Sequence, residues 1–236
     1  MARSTLRAVR RDIRAESDAD DAVHLQRFFK TGPGEYGEGD RFLGVRVPAL
    51  RKLARTHQSL PIDDALTLLT SDWHEERLLA LLILIGHYRR GDTLAKQRVH
   101  DAYLANTRHI NNWDLVDASA EHVVGPHVPP DELVVLERLA ASENVWERRI
   151  AMLATFHWIR KREFQPALRI AGRLVNDPHD LIHKAVGWML REIGKRDGKT
   201  ERAFLRAHYR TMPRTMLRYA IEKFPEAERQ RYLKRG

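Results

Sequence analysis

The segment INNWDLVDASAEHV, residues 110–123, sets Trp113, Asp114 and Asp117 at the head of a helical pattern in a strongly basic chain. At about 100° per residue, Trp113 and Asp117 stack one turn apart on one helix face. That face borders an apolar arc of Val116, Ala120, Val123 and Val124. An indole attracts cations and stacks on bases. Asn112 reads as an N-cap, which puts Asp114 in the first turn, where the helix dipole favours an acid. Asp114 and Glu121 are expected further round, towards water. Asp117 is too far in to cap the helix and too near the core to be incidental. It is either ion-paired with an arginine of the next repeat or set for electrostatic work.

Two further helices carry residues of the same kind. In VWERRIAML, Trp146, Ile150, Leu153 and His157 share a stripe, so Trp146 reads as core. Arg149 projects beside Phe156 on the flank of that arc and suits a fixed task. Arg148 projects further out and is expected to be solvated. In HDLIHKAVGWMLREIGK, the residues Ile182, Ala185, Val186, Met189, Leu190 and Ile193 form one broad apolar arc. Trp188 falls off it, on the side of Lys184 and Arg191, and Gly187 beside it leaves room for a close approach. A tryptophan on a basic face is a platform for a base or a sugar, or else it packs on the next repeat. His179 and His183 are four apart, but no HExxH and no third ligand accompany them, so no metal and no cofactor are expected.

These side chains must be positioned by helices, because the 3.6-residue period runs through almost every segment past residue 45 and no stretch alternates like a strand. Prolines mark the starts: Pro48, Pro61, Pro129 with Pro130, and Pro178. Leu6, Val9 and Ile13 give the arginine-rich N-terminal stretch an amphipathic helix rather than a signal segment. Five helices place a small residue at mid-length, Ala80, Ala118, Ala151, Gly187 and Ala220, at separations of 38, 33, 36 and 33 residues. A degenerate period with a second helix in each interval predicts an all-α, right-handed superhelix of HEAT-like pairs, an α-α solenoid forming one domain over residues 1–236. The exception is residues 31–47, whose glycines Gly32, Gly34, Gly37, Gly39 and Gly44 rule out a continuous helix. No Gly-Lys-Ser/Thr follows, so this stretch reads as a mixed-charge surface loop rather than a phosphate-binding one.

Composition narrows the function. The 236 residues contain no cysteine, which excludes disulfides, thiolate zinc sites and cysteine nucleophiles. No GxSxG elbow is present either. Forty-one Lys and Arg against 32 Asp and Glu leave a net charge of +9, a balance that favours a polyanionic partner. No apolar run reaches the roughly 20 residues that span a membrane. Three classes stay open on these grounds: an enzyme acting on nucleic acid, a module that binds distorted or branched DNA, and a protein-interaction scaffold.

NNWDLVD, WERRIAML and KAVGWMLRE, in this order and spacing, together with FLGVRVPALRKLAR, resemble the AlkD-like DNA alkylation repair family over nearly the whole chain. The resemblance implies a HEAT-like DNA glycosylase that removes cationic 3-methyl- and 7-methylpurines without flipping the base into a pocket. It makes Asp117 the catalytic aspartate, Trp113 and Trp188 the active-site tryptophans, and Arg149 the arginine beside them. An alkylated purine already carries positive charge and leaves without a general acid. What remains is to stabilise an oxocarbenium-like deoxyribose and admit water, as a carboxylate does in glycoside hydrolysis. The early-helix ring is Phe28, where active members of the family carry tyrosine. Phe28, Lys184, Arg191, Arg148, Arg46 and Arg51 are assigned to DNA binding, with Lys184, Arg191 and Arg149 on one basic face. The expected partner is double-stranded DNA containing alkylated bases. The expected form is a cytoplasmic monomer, on the nucleoid when bound to DNA.

Overall fold

A computed structural model describes residues 4–234; the first three residues of the arginine-rich stretch and the last two of the single-domain span lie outside the described residues. The helices are α1 (Leu6–Ala15), α2 (Ala19–Phe28), α3 (Val47–Thr56), α4 (Ile62–Leu69), α5 (His74–Arg90), α6 (Thr93–Ala105), α7 (Trp113–Val123) and α8 (Val134–Ala140). They continue with α9 (Val145–Ala154), α10 (Phe156–Arg160), α11 (Gln165–Leu174), α12 (Asp180–Gly194), α13 (Gly198–His208), α14 (Arg214–Ala220) and α15 (Glu226–Lys234). Among the described residues no strand forms, and Arg41 and Trp73 share only an isolated parallel bridge. The all-α fold read from the periodicity is the fold the chain has. The chain divides after Ser119 into two compact units, and the division falls inside α7.

The first unit is built round α5. Its Leu78–Leu81 and Ile83–Ile85 are buried, so the helix is apolar on all sides and packs against α3, α4 and α6. Val9 and Ile13 seat α1 against α3 and α4. Arg89 and Arg90 at its far end are exposed, whereas the burial extends to its polar first turn, where His74, Glu75, Glu76 and Arg77 are each at most 4% exposed. Each is therefore paired. Glu76 takes Arg10 and Arg14 of α1. Glu75 accepts the backbone N–H groups of Leu43, Gly44 and Val45 at 2.8, 2.8 and 3.1 Å. That clamp corrects the reading of residues 31–47 as a surface loop. The stretch is non-helical up to α3, but Phe42–Val45 are buried between the exposed Arg41 and Arg46. Gly44 has φ +82, and a Cβ there would lie 1.9 Å from the Asp18 carbonyl oxygen, so only glycine fits.

In the second unit the small-residue helices pack side by side, α9 on α12 and α12 on α14, with α8 and α11 as their partners. Ala151 and Ala220 are fully buried. Gly187 is where α14 comes close: a Cβ would lie 2.4 Å from the Met216 carbonyl and 2.5 Å from Tyr219 Cβ. The close approach expected beside Trp188 is thus made by α14. Pro48, Pro61 and Pro178 mark their helix starts within two residues. Pro129 and Pro130 do not, because turns continue through Leu133 and α8 opens only at Val134.

Candidate functional site

The apolar arc of α7 packs as its spacing requires: Val116, Ala120, Val123 and Val124 are fully buried. Trp113 and Asp117 stand half-buried at its edge. The Trp113 ring stacks on Phe29 at 5.2 Å and meets Phe28 edge-on at 5.9 Å. Phe28 is 55% exposed, so the end of α2 and the head of α7 together present an aromatic surface beside a carboxylate. Phe28 and Trp113, far apart in sequence, are brought together. Phe29 was not singled out by the sequence reading. Its signal is the pair of adjacent aromatics at a helix end, which cannot share one face. The buried Tyr103 hydroxyl, held 2.9 Å from Ser119 Oγ, is pushed up by burial and further by the negative field of Asp117.

Asp114 does not face water. It lies in the first turn of α7 as expected, but its carboxylate accepts from His74 Nε2 at 2.8 Å. The other nitrogen, Nδ1, meets Asp40 at 2.7 Å. Arg77 donates to the second Asp40 oxygen at 2.7 Å and to the Ser71 carbonyl at 3.0 Å. Burial alone would pull the His74 pKa down; the Asp114 carboxylate, then Asp40, outweigh it and push it up to about 9. His74 is therefore an imidazolium at neutral pH. Glu121 is likewise buried rather than solvated, and pairs with Arg160 Nε at 2.7 Å. In each case the turn angle on the helix was right, but another element covers that angle.

In the second unit, Trp146 is buried, as its stripe predicts. Arg149 is 5% exposed and donates to the Leu181 carbonyl, in the first turn of α12, at 2.6 Å. Arg148 is not the solvated cation expected of it. Its guanidinium binds Asp177 at 2.7 Å and the carbonyls of Ser142 and Glu143 at 2.9 and 2.8 Å, so its donors are turned inward. Trp188 is half-buried, edge-on to Phe156 at 5.9 Å, and its indole N–H reaches Glu192 at 3.3 Å. Lys184 and Arg191 flank it on α12 at helical spacing, with Asp180 and Glu222 as their partners. Arg149 lies beneath the first turn of that helix rather than on its basic stripe. Arg46 is exposed and paired with Asp21, and Arg51 is exposed. The histidine pair is engaged elsewhere: His179 Nδ1 accepts from the Leu181 N–H, and His183 Nε2 meets the Asp177 carbonyl. Among the described residues no cluster of three possible metal ligands occurs, and no helix is long and apolar enough to cross a membrane.

Residues 9–224 match the family described as DNA alkylation repair enzyme. No curated protein matches the chain in sequence. Among solved structures, the chain is similar to an Enterococcus faecalis protein described as a predicted DNA alkylation repair enzyme. The two share 16% identity and a TM-score of 0.69, over 89% of this chain and 98% of that one. It is also similar to AlkD2 from Streptococcus mutans, at 17% identity and a TM-score of 0.57, over 94% of this chain and 97% of that one. At these identities the structural likeness is one of fold.

Proposed function

The chain belongs to the DNA alkylation repair enzyme family, and from that premise we propose that it is a glycosylase that excises cationic 3-methyl- and 7-methylpurines from double-stranded DNA. The observation that carries the reading is the head of α7: Trp113 and Asp117 one turn apart, with the exposed Phe28 ring against the indole. The purine is cationic before any bond breaks. As the C1′–N9 bond lengthens, its electron pair passes to the purine, which leaves neutral, and positive charge moves to the deoxyribose. Asp117 stabilises that oxocarbenium-like sugar and takes a proton from the water that attacks C1′. The faces of Trp113 and Phe28 favour the cationic lesion over an uncharged base, by about 0.5–2 kcal/mol per ring. No pocket for the base is required, which suits a half-open face and excision without flipping.

In the second unit, Trp188 offers a further ring beside Lys184 and Arg191. Arg149 secures α12, which carries that ring, from beneath. Arg46 and Arg51 add exposed positive charge near the start of α3. The same reading makes the working form a monomer on DNA, in the cytoplasm with the nucleoid. Two assays test it. Duplex affinity should fall steeply with salt, because bound phosphates release counterions. Duplex carrying 7-methylguanine should gain alkali-labile abasic sites on incubation with the protein. Salt-dependent binding with no base release would leave a DNA-binding protein and remove the enzyme.

A further inference from the structure

Asp114 and His74 are in excess of what the proposed chemistry needs. Neither is on the Trp113–Asp117 face, yet their link is among the most constrained in the first unit. Asp114 has a side chain only 15% exposed. One oxygen accepts from His74, and the other is buried without a partner. His74 is 2% exposed and is anchored at its far side by Asp40, itself held by Arg77. His74 also reaches Trp113 by a second, apolar route. Its ring lies 5.0 Å from Phe29 and 4.5 Å from Phe42, and Phe29 in turn stacks on Trp113. The backbone N–H of His74 is fixed by the Arg41 carbonyl at 2.8 Å.

We propose that His74 is a positioning residue for the acid–aromatic face: it fixes the first turn of α7 through Asp114 and the Trp113 ring through Phe29, and so sets where Trp113 and Asp117 stand. The charges close on themselves, with Asp40 and Asp114 against His74 and Arg77. Remove His74 and Asp114 becomes a nearly buried carboxylate with no donor on either oxygen, which must turn towards water and draw the head of α7 with it. Asp117, one turn further along, moves too. The inference rests on the glycosylase reading for its catalytic consequence but not for its structural one.

The test uses His74→Gln and Asp114→Asn in the full chain, at a temperature well below unfolding. The indole N–H spectrum of the five tryptophans, with Trp113 assigned by its loss in Trp113→Phe, reads position without activity. Either variant should move the Trp113 resonance and leave that of Trp188 in place. Each should also slow base release at saturating protein by up to about 100-fold, the scale of a misplacement of about 1 Å, with duplex affinity unchanged. The double variant should be no slower than the worse single one, because both substitutions remove a charge from the same link. Asp114→Asn makes the same test should His74→Gln fail to fold. A Trp113 resonance that stays put in a folded variant overturns the proposal, as do losses that multiply in the double variant. An unmutated protein that releases no base, but whose Trp113 resonance moves in the variants, sinks the glycosylase reading and leaves the positioning role standing.

Discussion

Raising the pH should strip the proton from His74 and weaken the first unit. The unfolded chain releases that proton near 6.5, whereas the folded protein holds it to about 9. The folded state binds the proton more tightly, so the stabilisation is complete below pH 6.5. It declines as pH rises from 6.5 and is gone above about 9. The interval of about 2.5 units, at about 1.36 kcal/mol each, corresponds to about 3 kcal/mol. His74 is buried, so solvent screening takes little from that figure. Lysines and tyrosines also titrate in alkali, and the comparison must cancel them. Urea unfolding of the protein and of His74→Gln at pH 6 and pH 10 does so. The stability gap between the two proteins should shrink by about 3 kcal/mol from the lower pH to the higher. The His74 Cε1–H resonance should titrate with an inflection near 9. A gap that stays constant, or an inflection at or below 6.5, would refute the doubly bonded imidazolium and with it the coupling between Asp40, His74 and Asp114.

Other consequences can be checked without DNA. Burial pushes the Glu201 carboxyl up to about 8, so its stabilising protonated form is lost as pH rises from about 4.5 through 8. Glu201→Gln should therefore be more stable than the unmutated protein at pH 9, by on the order of 5 kcal/mol, and nearly equal to it at pH 4; equal melting temperatures at pH 9 would contradict this. Glu75→Gln leaves an amide N–H facing one of three backbone donors and should cost about 1–3 kcal/mol in urea unfolding. Gly187→Ala drives a methyl into the α14 backbone and should lower stability by about 1–3 kcal/mol. An unchanged urea midpoint would mean that α12 and α14 part more readily than their packing indicates.

The helices were legible because burial on one side leaves a period, and α12 shows how far that reaches. All six residues of its apolar arc are buried, and Trp188 stands off it. What a helical period cannot supply is the identity of the neighbour at each angle. Asp114, Glu121 and Arg148 sit at the angles expected of solvated residues, yet His74, Arg160 and Asp177 meet them there. Gly187 was rightly read as making space, but the occupant is a helix two elements on. The polar run His74–Arg77 carried a usable signal that was passed over. The stretch Leu78–Ile85 that follows is apolar on every side, which marks the opening turn as a candidate for burial, and buried polar groups must be paired. Half of the glycine-rich stretch was misplaced for the same reason, since Glu75 supplies acceptors that no local pattern in residues 42–45 announces.

The central claim is that Asp117 serves a transient cation, and one comparison addresses it most directly. Asp117→Asn keeps the shape and most of the hydrogen-bonding capacity while removing the charge. Release of 7-methylguanine from duplex DNA, duplex affinity and thermal stability should be measured on the same preparations of the variant and the unmutated protein. The account predicts base release by the unmutated protein. It predicts a variant of equal stability and equal or slightly higher DNA affinity, slower in excision by about 10²–10³, the typical cost of losing one preorganised electrostatic partner. A variant that loses stability instead would make Asp117 a structural ion-pair partner. A stable Asp117→Asn protein that excises at the unmutated rate would contradict the account.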